Sequence, residues 1–187
     1  MPEEQGIGNT IKGGILGVIR GVGEIAGAVV DEVSGTLVKT IRATRAVGGE
    51  LSSLVVDSVQ GAIGAAAEIG GNLGDTAKNA VIGVVRGTKE AGGEVAGTFR
   101  DGARGAVQGA AEVGGDLVET ARGAVEGAIL AARDVGVAAE QAASQAAQGA
   151  VEAAGNVSEA AAKRVASALS TTIAGVKVVV QAPFKKD

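Results

Sequence analysis

The chain has no cysteine, histidine, tryptophan or tyrosine, and among its 187 residues only Phe99 and Phe184 are aromatic. Without Cys there is no disulfide and no thiol nucleophile; without His, the side chain that most often serves as general acid or base near neutral pH is missing. Metal ligation by His or Cys is excluded for the same reason. An ordinary core of this size draws on aromatic and large aliphatic side chains. Here the apolar fraction is mostly Ala, Val and Ile, so any core must be thin.

Proline is nearly absent as well. Pro2 and Pro183 read as end markers, and no residue between them blocks a helix through a missing amide. The longest stretch without a charge, Val165 to Val176, is too short for a membrane-spanning helix. The start, MPEEQGIGNT, is acidic and lacks the pattern of a signal peptide. The formal net charge is −4, with both signs interspersed. No basic block is present of the kind that tracks phosphates, so nucleic acid is not expected as a partner. Absence of Cys fits a reducing compartment, and the expected location is cytoplasmic, peripheral to a membrane or lipid-like surface.

Glycine is abundant, at 32 residues, and it is ordered. Gly-Gly pairs stand at Gly48-Gly49, Gly70-Gly71, Gly92-Gly93 and Gly114-Gly115, a spacing of 22 residues each time. The copies are VGGELSSLVVDSVQGAIGAAAE from Val47, IGGNLGDTAKNAVIGVVRGTKE from Ile69, AGGEVAGTFRDGARGAVQGAAE from Ala91 and VGGDLVETARGAVEGAILAARD from Val113. The frame is clearest over residues 47–134 and weaker over 3–46 and 135–178, with a short tail at 179–187. The chain therefore reads as a single helical repeat region with no second domain.

Twenty-two is twice eleven, and eleven residues close on themselves after three turns at about 3.67 residues per turn. Repeat columns become stripes on a helix. Counting Val47 as column 1, columns 1, 5, 9, 13, 16, 17 and 20 fall in one arc and are apolar, while the charges gather on the opposite arc. The expected fold is all-α: long Gly/Ala-rich amphipathic helices, arranged as an extended helix, a hairpin or an oligomeric bundle. The residues expected to face a lipid or a partner are Ile25, Ile41, Val47, Leu51, Ile63, Ile69, Leu73, Val85, Val95, Phe99, Val107, Val113, Leu117, Ile129 and Val151.

Each Gly inside a helix costs about 1 kcal/mol relative to Ala, so an isolated helix of this composition needs a surface or a partner to fold against. The Gly-Gly pairs carry two readings: hinges that bend or break a long helix, or places where a second helix backbone approaches closely. Two segments, Ile11 to Val30 and Thr171 to Phe184, are richer in apolar residues than the average and suit an interface plane, a partner helix or, equally, helix ends packing on their own chain.

Catalysis would have to rest on carboxylates, Ser, Thr, Lys and Arg, and the carboxylates recur regularly along a solvated stripe. No catalytic, cofactor-binding or metal-binding residue is expected. The stretch GVGEIA at Gly21 to Ala26 matches a dinucleotide-binding spacing, but it lies inside the repeat frame and no βαβ alternation follows it.

The segment GVVRGTKEAGGEVAGTFRDGARGAVQGAAEVGG, from Gly83 to Gly115, resembles the 11-residue amphipathic repeats of synucleins and perilipins. It also resembles late-embryogenesis-abundant proteins and, in period only, the 22-residue helices of exchangeable apolipoproteins. The resemblance implies reversible helix formation on lipid surfaces. This chain departs from those repeats in its acidic balance and its Gly-Gly punctuation, which oppose attraction to anionic lipid. The expected function is therefore a non-enzymatic structural protein that lays its helices on a lipid or other hydrophobic surface. The alternative is a self-assembling helical scaffold, stalk or filament.

Overall fold

The computed structural model describes residues 6–22 and 25–180, the side chains of 18–22 and 25 excepted. The side chains of Arg20 and Ile25, residues Gly23 and Glu24 of GVGEIA, and Pro2, Pro183 and Phe184 thus lie outside the described residues.

Three of the four Gly-Gly pairs end helices; at the first, Gly48 caps the start of the helix that begins at Gly49. Gly70, Gly92 and Gly114 have φ of 70°, 77° and 69°, in the left-handed region that glycine enters without steric penalty. Around Gly70 the backbone closes in a Schellman motif: Gly70 N–H donates to Ala67 O at 3.3 Å and Gly71 N–H to Ala66 O at 2.7 Å. The same two bonds recur from Gly92 to Lys89 and Gly93 to Thr88, and from Gly114 to Ala111 and Gly115 to Ala110. After Gly71 and Gly115 the next residue starts a new helix, whereas after Gly93 the next helix begins only at Thr98. Asn72 Oδ1 accepts from Asp75 N–H at 2.7 Å, and Asp116 Oδ1 accepts from Val118 and Glu119 N–H, so each caps an N-terminus. Gly-Gly-Asn and Gly-Gly-Asp therefore stop one helix and begin the next within a few residues.

Among the described residues the elements are α1 (Ile7–Val22), α2 (Ile25–Thr44), α3 (Gly49–Glu68), α4 (Leu73–Glu90), α5 (Thr98–Glu112), α6 (Leu117–Val135), α7 (Ala139–Val157) and α8 (Glu159–Leu169). They are followed by a small antiparallel hairpin of β1 (Thr172–Ile173) and β2 (Val176–Lys177). Ala174 and Gly175 turn the hairpin with φ of 48° and 81°, the pair of left-handed residues that a two-residue β-turn requires. Part of the apolar C-terminal segment is thus strand, where the repeat frame suggested helix. The fold is all-α apart from this hairpin.

Helices pack most closely on the helix two places away: α1 on α3, α3 on α5, α5 on α7, and likewise α2 on α4 and α4 on α6. Within such a pair the contacts rise together along both chains. Gly74 meets Gly123, Lys78 meets Gly127, and Arg86 meets Asp134, so α4 and α6 run parallel. The helix between them must run the other way. The result is two layers of parallel helices, odd-numbered and even-numbered, joined by tight turns that alternate between the two ends.

The thin core expected from composition lies between these layers. Val59, Ala62, Ile63, Val81, Val84, Val85, Phe99, Val107, Val125 and Ile129 are fully buried there. The helices find their apolar partners inside the same chain.

Candidate interaction surface

Close helix approach comes from a column that the Gly-Gly pairs overshadow. Column 15 is Gly61, Gly83, Gly105, Gly127 and Gly149 in five successive repeats. Each faces the preceding helix of its own layer: a Cβ added at Gly105 would stand 2.6 Å from Val56 O, and one at Gly83 3.0 Å from Val30 O. Gly61, Gly127 and Gly149 lie in the same way against the backbone of Gly8, Lys78 and Arg100. Small residues let helix axes approach more closely than the usual 8–10 Å. The signal was present in the sequence as an unbroken Gly column in mid-repeat, where helix propensity alone disfavours Gly.

Of the two roles suggested for the Gly-Gly pairs, the structure therefore assigns the helix break to Gly48, Gly70, Gly92 and Gly114. The second residues, Gly49, Gly71, Gly93 and Gly115, follow the break. An added Cβ would lie 3.3 Å from Ala66 O at Gly71 and 3.0 Å from Thr88 Cγ2 at Gly93. At Gly48, Gly70, Gly92 and Gly114 it would meet no described atom within 4 Å, so no helix crosses there.

The apolar columns divide by location. Ile41, Leu51, Ile63, Val85, Phe99, Val107, Ile129 and Val151 are buried against other helices of the chain. Leu73, Val95 and Leu117 are half-buried. Val47, Ile69 and Val113 are exposed, because column 1 falls at the helix end and projects from the turn. Ile69 and Val113 occupy the α3–α4 and α5–α6 turns and Val157 ends α7 at the α7–α8 turn, with exposures of 39%, 42% and 54%. Turns alternate between ends, so these three line one edge of the array.

The outer faces are polar and cross-linked. Arg86 Nε and Nη2 both donate to Asp134 Oδ2, at 3.0 and 2.8 Å, across 48 positions of sequence. Lys78 reaches Glu126 at 3.7 Å, Lys12 reaches Glu68 at 2.8 Å, and Arg100 grips both carboxylate oxygens of Glu152. In every one of these pairs the basic residue lies on the earlier helix and the acidic residue on the later one. The pairing with Glu152 raises the Arg100 pKa, holding the guanidinium charged. Partial desolvation pushes the carboxyl of Asp57, which stays largely exposed, above its ordinary value. It lies in the α1–α3 groove with Asn9 and Lys12, whose ammonium is engaged by Glu68.

Between parallel helices the surface dips into open grooves. The one between α4 and α6, about 410 Å³, is lined by Asn72, Asp75, Glu119, Arg122 and Glu126, with Gly74 and Gly123 at its floor. Asn72 Nδ2 donates to Glu119 Oε1 at 2.6 Å, and Lys78 reaches both Asp75 and Glu126. Among the described residues there is no cluster of three or more metal-capable side chains, and no helix is long and apolar enough to cross a membrane.

No family model matches the sequence, and no curated protein matches it. Among solved structures, a de novo designed helical repeat protein, DHR7, is similar over 87% of this chain and 90% of that one, with a TM-score of 0.54 and 18% identity. The chain has a helical-repeat fold. At that identity the likeness concerns the fold alone. It agrees with the local chemistry, since a helix-stop, a helix-start and a close-packing Gly recur at fixed columns.

Proposed function

We propose that the chain is a non-enzymatic structural scaffold, a self-supporting helical-repeat slab that offers its ion-paired faces and its edges to other macromolecules. The observation that carries this reading is the closure of the apolar columns on one another: Ile63, Val85, Val107 and Ile129 are fully buried within the chain, and the charges form ladders on the outside. Such a molecule needs no surface to fold on. Its described grooves are open and lined by polar and charged side chains, several of them already bonded to neighbours, which suits contact with extended partners better than chemistry on a small substrate. Circular dichroism in plain buffer tests this. The expected result is strong helicity, unchanged by added vesicles, with cooperative unfolding; a disordered chain that gains helix only on lipid overturns it.

A second reading, contact with a lipid or other hydrophobic surface, draws on the row of Ile69, Val113 and Val157 along one edge. It requires the folded slab to dock by that edge. Co-sedimentation with neutral vesicles, lost in the triple variant Ile69→Ser, Val113→Ser, Val157→Ser with helicity intact, would support it; equal binding of both proteins would reject it.

A further inference from the structure

The two ends of the array are unlike. At the C-terminal end, the flank of α7 where a further odd helix would pack is met by the chain itself: β2 contacts α7, Ser144 Oγ donates to Val179 O at 3.3 Å, and Ile173, Val176 and Val178 are buried. At the N-terminal end, α1 and α2 present the flank that each later helix uses to pack on its predecessor. Gly13, Gly17, Gly27 and Gly35 have no described atom within 4 Å of a Cβ position.

The α2 flank is the more informative. In α6 the residues that lie against the α4 backbone include Glu119, Gly123 and Gly127: the Glu119 side chain lies against Gly74, Gly123 against Gly74, and Gly127 against Lys78. The same three repeat columns in α2 hold Asp31, Gly35 and Lys39, and all three are exposed. Neither Asp31 nor Lys39 forms an ion pair with a described residue. Lys39 stands in column 15, where the next five repeats carry Gly. A parallel helix docked as α4 docks on α6 would bury the Lys39 ammonium against its backbone without a counter-charge, which is strongly unfavourable. Extension by another copy in the repeat's own sense is therefore blocked.

An antiparallel helix meets a different pattern. Asp31 and Lys39 lie one turn before and one turn after Gly35. If two α2 helices cross at Gly35 about a two-fold axis, Asp31 of each comes level with the partner's Lys39, and the glycine sits at the closest approach. The charges become two symmetric ion pairs flanking a Gly-Gly contact. The same axis brings α1 toward its own copy through the flank that carries Gly13 and Gly17.

We infer that the N-terminal edge is a homodimer interface, in which α2 packs antiparallel on the α2 of a second copy around Gly35, with Asp31 and Lys39 paired across the axis. This rests on the scaffold reading and makes it specific: two slabs joined edge to edge, with the tail-covered ends outward.

Light scattering and sedimentation velocity on the full chain test it. The wild type is expected to be a dimer. Asp31→Lys places like charges opposite one another twice and should weaken the dimer by about tenfold or more. Adding Lys39→Asp should restore it. Gly35→Leu, at a position open in the monomer, should give a monomer with unchanged helicity. A helical wild-type monomer at every concentration overturns the dimer and leaves the scaffold reading standing, whereas loss of helix in buffer overturns the scaffold reading itself. A dimer insensitive to both Asp31→Lys and Gly35→Leu, or open-ended polymers, also overturns this interface.

Discussion

Gly105 lies against the backbone of Val56, so close that a methyl group on Gly105 would stand 2.6 Å from the Val56 carbonyl oxygen and 3.0 Å from its Cα. Backbone cannot yield as a flexible side-chain tip can. α3 and α5 would have to separate, and every side chain between them would lose contact.

Gly105→Ala is therefore expected to destabilise the fold by about 1–3 kcal/mol, despite the gain in helix propensity. Gly64 is the internal control: it is also in mid-helix, but its nearest neighbour would be Lys12 Cδ at 3.7 Å, an ordinary contact with a mobile side chain. Gly64→Ala should stabilise by about 0.5–1 kcal/mol. Urea denaturation of the two variants gives opposite shifts of the midpoint if column 15 is the packing column.

Gly70, Gly92 and Gly114 have room for a side chain but the wrong backbone for one. Ala at any of them should cost about 1–2 kcal/mol through the left-handed conformation. Asn, which tolerates that region, should cost less. This reverses the outcome expected for a continuous helix, where Ala would raise helix content at the same sites. Thermal unfolding of Gly92→Ala and Gly92→Asn distinguishes the two cases.

Thr88 is fully buried, and its hydroxyl oxygen has no hydrogen-bond partner among the described residues. Valine keeps the shape and removes the desolvated hydroxyl. Thr88→Val should stabilise by about 1 kcal/mol. Thr120, buried at 0% exposure, donates to Asp116 O at 2.7 Å, so Thr120→Val should bring no such gain. Chemical denaturation of the two variants side by side checks the contrast.

Asp57 supplies a pH dependence. Its carboxyl pKa is raised above the ordinary 3.8 by partial desolvation, so the folded state holds the proton at pH values where the unfolded chain has released it. Stability contributed by this group is highest below 3.8 and falls as pH rises through the raised value. Because Asp57 is largely exposed and screened by solvent, Asp57→Asn should stabilise only slightly at neutral pH and make no difference at acid pH. Stability curves of the two proteins, measured from acid to neutral pH, should converge at the low end.

The amino-acid sequence alone sets the helical class, the 22-residue unit and the apolar columns. Ile63, Val85, Val107 and Ile129 recur with the period that puts them on one face of any helix built from this repeat. It also marked the places where a helix could stop, since only Gly enters the left-handed region freely. It did not determine that the helices do stop there. Gly70 is sterically compatible with a bent continuous helix as well as with a Schellman turn. The choice falls to contacts far apart in sequence, such as Gly105 with Val56 and Arg86 with Asp134, which exist only once the chain has folded back twice. Those contacts turn a row of apolar faces that would otherwise need a foreign surface into a core that the chain supplies for itself. They also decide which residues of column 1 stay at the surface: Ile69 and Val113 belong to the apolar arc of an ideal helix, but they lie where the helix has ended.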